Sequence, residues 1–256
     1  MSRLRKILLS QNSLAKALGA TAFFASTKFN HHLAVVKDLE YRNALVLAPH
    51  PDDDVFGCGG VIEKMSSNGA DVTVAYFCDG AGGMPEEDNR ANPDLVETRK
   101  KEAEKSGEIL GVKNQIFFGY PDGKLAAGTS AVRALRELIL RTKPDIIFVP
   151  SFLDNHPDHR VVNEIVFNAV GNEKVKFEIW AYEVWTPIFV NRLVGIDINK
   201  KQQAMKTQES QLQSRGYDKA ILGLNQYRAE MNNLSGYAEG FFATTYENYK
   251  KLYLQS

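Results

Sequence analysis

Ala48-Pro49-His50-Pro51-Asp52-Asp53-Asp54 stands directly after the apolar run Ala44-Leu45-Val46-Leu47. The run is short, continuous and apolar, as a strand covered on both faces of a parallel sheet requires. A strand that then ends in a histidine and three carboxylates breaks the rule that buried strand ends stay apolar, and local breaks of this kind mark functional sites. Working outward, Asn43 to Ala48 is the first strand, and Val55 to Asn68 is a helix opened by glycines and stopped by Asn68-Gly69. Asp71 to Cys78, β-branched and aromatic, is the second strand, and the glycine-rich Asp79 to Pro85 is a loop.

The alternation continues. Asp94 to Leu110 has helical composition and Asn114 to Phe118 is a third strand. Val132, Leu135, Leu138 and Ile139 recur at helical spacing before Lys143-Pro144, and Asp145 to Val149 is a fourth strand. Phe177 to Val184 and Leu193 to Ile198 read as further strands, Lys200 to Arg215 as one helix, and a last helical stretch runs through Met231. Strands and helices alternating at this length predict an α/β fold: a doubly wound, mostly parallel Rossmann-like sheet with helices on both faces. Residues 41–256 are expected to form a single domain, with a core over 43–170 and a C-terminal α/β elaboration over 171–256.

Residues 1–40 differ in character. Arg3, Arg5 and Lys6 precede Ile7-Leu8-Leu9, and Lys16 interrupts the apolar stretch from Leu14 to Ala25. The uninterrupted apolar part is too short to span a membrane. The expectation is an N-terminal helical extension that packs on the domain or on a partner, with export or peripheral membrane contact as the minor reading. The two cysteines, Cys58 and Cys78, form no staple framework, which makes a reducing, cytoplasmic setting the default. With 31 basic and 31 acidic residues, the charge balance argues against nucleic acid or an anionic membrane as main partner. A small neutral or mixed-charge ligand fits better, and homo-oligomerisation is left open.

In an open α/β sheet, ligands sit outside the carboxyl ends of the strands, where strand order reverses. Here the first strand ends in His50-Pro51-Asp52-Asp53-Asp54, and the fourth ends in Pro150-Ser151-Phe152-Leu153-Asp154-Asn155-His156-Pro157-Asp158-His159. Two histidine and aspartate clusters thus meet at the place the fold reserves for chemistry. Three nitrogen or oxygen ligands with one open position is the pattern of a catalytic zinc site. His50, Asp53 and His159 can supply them, although Fe²⁺, Co²⁺ or Mn²⁺ suits the same donors. Such an ion lowers the pKa of a water from about 16 toward roughly 7 and polarises a carbonyl, which points to amide or ester hydrolysis. Asp52, beside a ligand, is placed as general base, and His156, oriented by Asp158, as the group acting on the oxyanion or leaving amine. Gly57-Cys58-Gly59-Gly60 raises a rival, a dinucleotide-binding module. That fingerprint is incomplete and three aspartates precede it, so close helix-to-strand packing is the preferred reading of these glycines.

With those residues assembled, the sequence resembles the PIG-L/LmbE-like family of metal-dependent N-acetylglucosamine de-N-acetylases. The matching stretches are Ala48-Pro49-His50-Pro51-Asp52-Asp53-Asp54, close to Ala-His-Pro-Asp-Asp-Glu, and His156-Pro157-Asp158-His159. The resemblance implies zinc on His50, Asp53 and His159, Asp52 as base, and His156 tuned by Asp158. It also implies sugar contacts from Arg99, in an Arg-x-x-Glu pattern with Glu102, and from Asp122 in Tyr-Pro-Asp-Gly. Asp54 stands where relatives carry Glu, and Asp154 where some carry a tyrosine. Arg228 and Glu239 are further substrate-side candidates. The expected reaction is removal of acetyl from an N-acetylated amino sugar, borne by a glycoconjugate or sugar nucleotide. An amidase acting on a non-sugar N-acyl compound is the second reading.

Overall fold

Every residue from Ala44 to Ala48 and from Ile146 to Pro150 is buried, because helices cover both faces of the sheet these strands centre. The computed structural model describes residues 33–83, 93–213 and 216–256. In chain order the first half holds β1 (Ala34–Val36), β2 (Asn43–Ala48), α1 (Asp53–Ser67), β3 (Asp71–Cys78), α2 (Pro93–Leu110), β4 (Asn114–Tyr120), α3 (Thr129–Thr142) and β5 (Ile146–Pro150). Then follow α4 (Pro157–Val170), β6 (Glu178–Tyr182), β7 (Arg192–Gly195), α5 (Ile198–Lys206), α6 (Glu209–Leu212), α7 (Tyr217–Glu230), β8 (Ala238–Thr245) and α8 (Tyr246–Gln255).

The strands form one sheet in the order β1-β7-β8-β6-β5-β2-β3-β4. All neighbours pair parallel except β8, which runs against both β6 and β7. β2 is flanked by β3, with Ala48 opposite Tyr76, and by β5, with Val46 opposite Phe148. The chain leaves β2 toward β3 on one side and returns to β5 on the other, so the switch point lies between the carboxyl ends of β2 and β5. Alternate side chains of β2 feed two cores. Val46 and Ala48 pack with α1, α2, α5 and α7 through Val55, Ala103, Met205 and Ile221. Leu45 and Leu47 pack with α3, α4 and α8 through Leu135, Ile165 and Tyr249.

α1 carries the acidic cluster and is shaped for a close approach. A Cβ on Gly57 would stand 2.3 Å from the Tyr182 ring, and one on Gly60 2.5 Å from Ile196. These glycines therefore serve packing against β6 and the chain after β7, as their position between three aspartates and a helix suggests. Cys58 leaves helical geometry at φ −144°, ψ 23°, and buried side chains satisfy the backbone groups around this kink. Lys201 Nζ donates to Phe56 O, while the Glu239 carboxylate accepts from Gly60 N and Val61 N.

Several boundaries differ from the sequence expectation. α1 starts at Asp53, not Val55, and α4 starts at Pro157, with His156 as N-cap. The single helix expected over Lys200 to Arg215 is broken into α5 and α6. The cause is Glu102, whose carboxylate accepts from Ser210 N and Ser210 Oγ and so starts a new helix there. β8 and α8 were not expected, and Ala34–Val36 of the expected N-terminal helical extension is an edge strand on β7. Residues 1–32 of that extension lie outside the described residues. No helix among the described residues is long and apolar enough to cross a membrane.

Candidate active site

The loop after β2 turns sharply because Asp52 N and Asp53 N both donate back to His50 O. This turn aims His50, Asp52 and Asp53 at the carboxyl end of β5, where α4 presents His156, Asp158 and His159. His50 Nδ1 lies 3.0 Å from Asp53 Oδ2, and His159 Nε2 lies 3.2 Å from the same oxygen. The three residues expected to hold metal are thus brought to one point. His159 is fully buried, yet neither of its ring nitrogens makes a hydrogen bond of good geometry. An imidazole left in that state, facing a carboxylate and a second imidazole, fits a divalent cation held by nitrogen and oxygen donors. His156 also brings a ring nitrogen within 4.8 Å of those of His50 and His159, and His50, Asp122, His156 and Asp158 form an overlapping group.

Electrostatics follow from crowding in a dry site. Burial opposes charge on His159, but Asp53 and then Asp154 outweigh it and raise the ring to about 9. Burial likewise opposes charge on His50, and bonds to Asp122, Asp158 and Asp53 override it, so its pKa is raised well above the usual value. Burial pushes Asp52 up to about 6, with Arg99 pulling the other way. Asp54 is pushed up to about 7 by burial, against a hydrogen bond from Tyr76 OH at 2.9 Å. Its second oxygen is buried without a partner, as a protonated carboxyl tolerates better than a carboxylate.

Two expected roles change. Asp158 does not orient the His156 ring through its carboxylate. That carboxylate lies 3.2 Å from His50 Nε2 and accepts from Gly123 N and Leu125 N. It is the Asp158 backbone N–H that donates to His156 Nδ1, at 3.3 Å, which puts the proton of the neutral ring on Nε2. His156 is also held below its usual pKa by burial and then by His50 and His159, which favours the neutral ring with its N–H at Nε2. Arg99 is buried, with Nη2 3.1 Å from Asp52 Oδ1 and Nη1 donating to Gly80 O. Its guanidinium is thus engaged with Asp52 as well as lining the cleft.

Asp122 Oδ1 lies 3.1 Å from His50 Nε2, and Oδ2 accepts from Gly82 N. Burial would raise its pKa, but the bond to His50 wins and lowers it. Arg228 pairs with Glu183, and Glu239 with Lys201, away from the cleft. They are bracing residues, which corrects the substrate-side reading. Asp154, in sequence a departure from relatives, braces both histidines of the second cluster. Oδ1 accepts from His156 N at 2.9 Å and stands 3.5 Å from His159 Nδ1, while Oδ2 accepts from Trp185 N at 3.1 Å. Its spacing two before His156, the Asx-turn spacing, was the available signal.

These groups lie at the foot of a cleft of about 500 Å³. Its lining combines the polar Asp52, Arg99, Asp122 and Gln211, with Gly82, and the apolar and aromatic Phe56, Val184, Trp185, Tyr217 and Ile221. A buried carboxylate beside a cation site and a neutral N–H donor across from it can activate a water and stabilise an oxyanion.

Comparisons with known proteins agree with this chemistry. Residues 45–170 match the protein family described as PIG-L, GlcNAc-PI de-N-acetylase. A diacetylchitobiose deacetylase of Thermococcus kodakarensis is 30% identical over 135 residues, 52% of this chain and 50% of that protein. A probable N-acetyl-alpha-D-glucosaminyl L-malate deacetylase 2 of Bacillus cereus is 31% identical, covering 51% of this chain and 61% of the relative. The chain thus spans about half to three-fifths of the length of these curated relatives. Among solved structures, the N,N'-diacetylchitobiose deacetylase from Pyrococcus horikoshii superposes with a TM-score of 0.69 at 25% identity. That match covers 80% of this chain and 84% of the other.

Proposed function

The chain belongs to the PIG-L family of de-N-acetylases, and on that premise we propose that it hydrolyses the N-acetyl group of an N-acetylglucosamine-type amino sugar. The observation that carries the reading is the convergence of His50 Nδ1 and His159 Nε2 on Asp53 Oδ2, 3.0 and 3.2 Å away, at the foot of a cleft also lined by Asp52 and His156. His50, Asp53 and His159 are the residues that would hold a divalent cation, with Zn²⁺ favoured by the donor set. Bound there, such an ion supplies Lewis acidity, polarising the acetamide carbonyl and acidifying water.

The remaining work falls to the chain's own residues. Asp52, with a pKa near 6 and one oxygen held by Arg99, takes the proton of the attacking water and returns it to the leaving nitrogen as the C–N bond breaks. Arg99 keeps that carboxylate from rising further in pKa and fixes its direction. His156 donates from Nε2 to the oxygen that gains charge when the carbonyl carbon becomes tetrahedral. Asp154 holds the backbone of His156 and stands beside the far nitrogen of His159, the kind of support that sets a metal-binding imidazole's orientation. Asp122 and Arg99 face the cleft where hydroxyls of the sugar would lie.

The test is acetate release from N-acetylglucosamine conjugates by protein of measured metal content. Near one divalent ion per chain, with activity lost on chelation and restored by Zn²⁺, is expected. Full activity in metal-free protein would overturn the reading.

A further inference from the structure

Asp54 takes no part in the reaction proposed above, yet it is fully buried in the first turn of α1, two residues from Asp52. Its Oδ2 accepts from Tyr76 OH at 2.9 Å, and Tyr76, on β3 beside Ala48, has no exposed surface. The Tyr76 oxygen in turn accepts from Gln115 Nε2 at 3.1 Å, and the same amide nitrogen donates to Ala103 O of α2 at 2.7 Å. Both N–H groups of the amide and the one O–H of the tyrosine are thereby used. Ala103 stands one turn of α2 beyond Arg99, whose Nη2 lies 3.1 Å from Asp52 Oδ1. These contacts close a ring that runs from Asp52 through Arg99, Ala103, Gln115, Tyr76 and Asp54 and returns to Asp52.

α2 is shaped for the amide. A Cβ on Gly107 would stand 2.6 Å from Gln115 Cδ and Nε2, so the helix must be bare there for the side chain to lie across it. Two residues along β4, on the same face, Phe117 stacks on the Tyr76 ring with centroids 4.6 Å apart and 17° between planes. Lys100 Nζ of α2 lies 5.5 Å from the Phe117 centroid. β3 and β4 thus reach both helices, α1 through Asp54 and α2 through Ala103 and Lys100. Buried polar groups joined in this way hold their elements to one arrangement. The arrangement held here is that of the helix start carrying Asp52 against the helix carrying Arg99.

Resting on the deacetylase reading above, we propose that Asp54, Tyr76 and Gln115 are positioning residues of the reaction. They line no part of the cleft and act through Asp52 and Arg99, setting the separation of α1 and α2 at which Arg99 fixes the direction of the Asp52 carboxylate.

The test uses the Zn²⁺-loaded full chain and the N-acetylglucosamine conjugate that wild type turns over fastest. Gly107→Ala meets only the far end of a flexible side chain and suits a helix, so it displaces the amide and keeps the fold. Tyr76→Phe keeps the stack on Phe117 and removes the hydroxyl. In both, as in Gln115→Leu, kcat per zinc-loaded chain should fall about tenfold with zinc content at the wild-type level. The pair Gly107→Ala and Gln115→Leu should fall no further than either change alone, since both break one link. Tyr41→Phe, which removes a tyrosine bond of 2.8 Å to Glu178 at the other end of the sheet, should keep wild-type kcat. Unchanged kcat in any of the three, a loss that follows zinc content, an equal loss in Tyr41→Phe, or losses that multiply in the pair would overturn the proposal. Arg99 is read separately and needs no turnover. Its Nε is buried, and the NMR resonance of that nitrogen, assigned through Arg99→Lys, should move in all three variants and stay in place in Tyr41→Phe. Such a move in protein that releases acetate from no conjugate would remove the deacetylase reading and leave the ring of contacts standing; an unmoved resonance would remove the ring.

Discussion

Asp52 is pulled two ways, upward by burial and downward by Arg99 3.1 Å away. The result lies near the range in which a carboxylate both accepts and returns a proton at neutral pH. Asp52→Asn removes that capacity and leaves His50, Asp53 and His159 intact. Turnover is expected to fall by about 10²-fold or more while metal content stays at the wild-type level. Acetate release and metal analysis on one preparation check both, and unchanged turnover would take the base role from Asp52. His159 makes a second prediction. In the metal-free protein Asp53 and Asp154, outweighing burial, raise its ring to about 9, so at pH 7 it carries a proton that a metal ion must displace. Zn²⁺ affinity is therefore expected to fall as pH drops from about 9 toward 6, with release of at least one proton. Calorimetric titration in buffers of different ionisation enthalpy reads this, and a pH-independent affinity would contradict it.

At the scale of elements, α1 is bent at Cys58 and held by a fully buried Lys201–Glu239 pair, Nζ to Oε1 2.6 Å. Removing one partner strands the other charge, so Lys201→Met is expected to destabilise the fold by about 3–5 kcal/mol. Urea unfolding measures it, and a loss under about 1 kcal/mol would mean the pair does not hold the bend. This brace was hidden in the sequence. Ala238-Glu239-Gly240 places a charge and a glycine inside β8, and nothing local announces that Lys201 neutralises the one and that Gly240 faces Val190 and Glu183. β2 and β3, by contrast, have the bounds their apolar runs predict, because burial on both faces leaves an unbroken hydrophobic signature. The site divides the same way. Convergence of His50, Asp53 and His159 follows from strand order. The direction of the Asp158 carboxylate, toward His50 Nε2 and the Gly123 and Leu125 amides, depends on side-chain placement across loops that spacing does not encode.

For the whole molecule, the decisive contact is β2 beside β5. Asn43 N donates to Asp145 Oδ2 across 102 positions of sequence, and that pairing alone puts His50 and Asp53 within reach of His159. Closing so long a stretch is a slow, entropy-limited event. Until it happens, His50 and Asp53 stand apart from His159. A metal ion held by these three residues would then bind the native state and not the species that precede it. Refolding rates in stopped-flow are expected to be the same with Zn²⁺ or with chelator, whereas unfolding should slow with Zn²⁺; faster refolding with the ion would mean that the ligands meet before the strands do. The parallel pairing at the switch point would thus make a bound ion a lock on a finished structure and give it no part in building one.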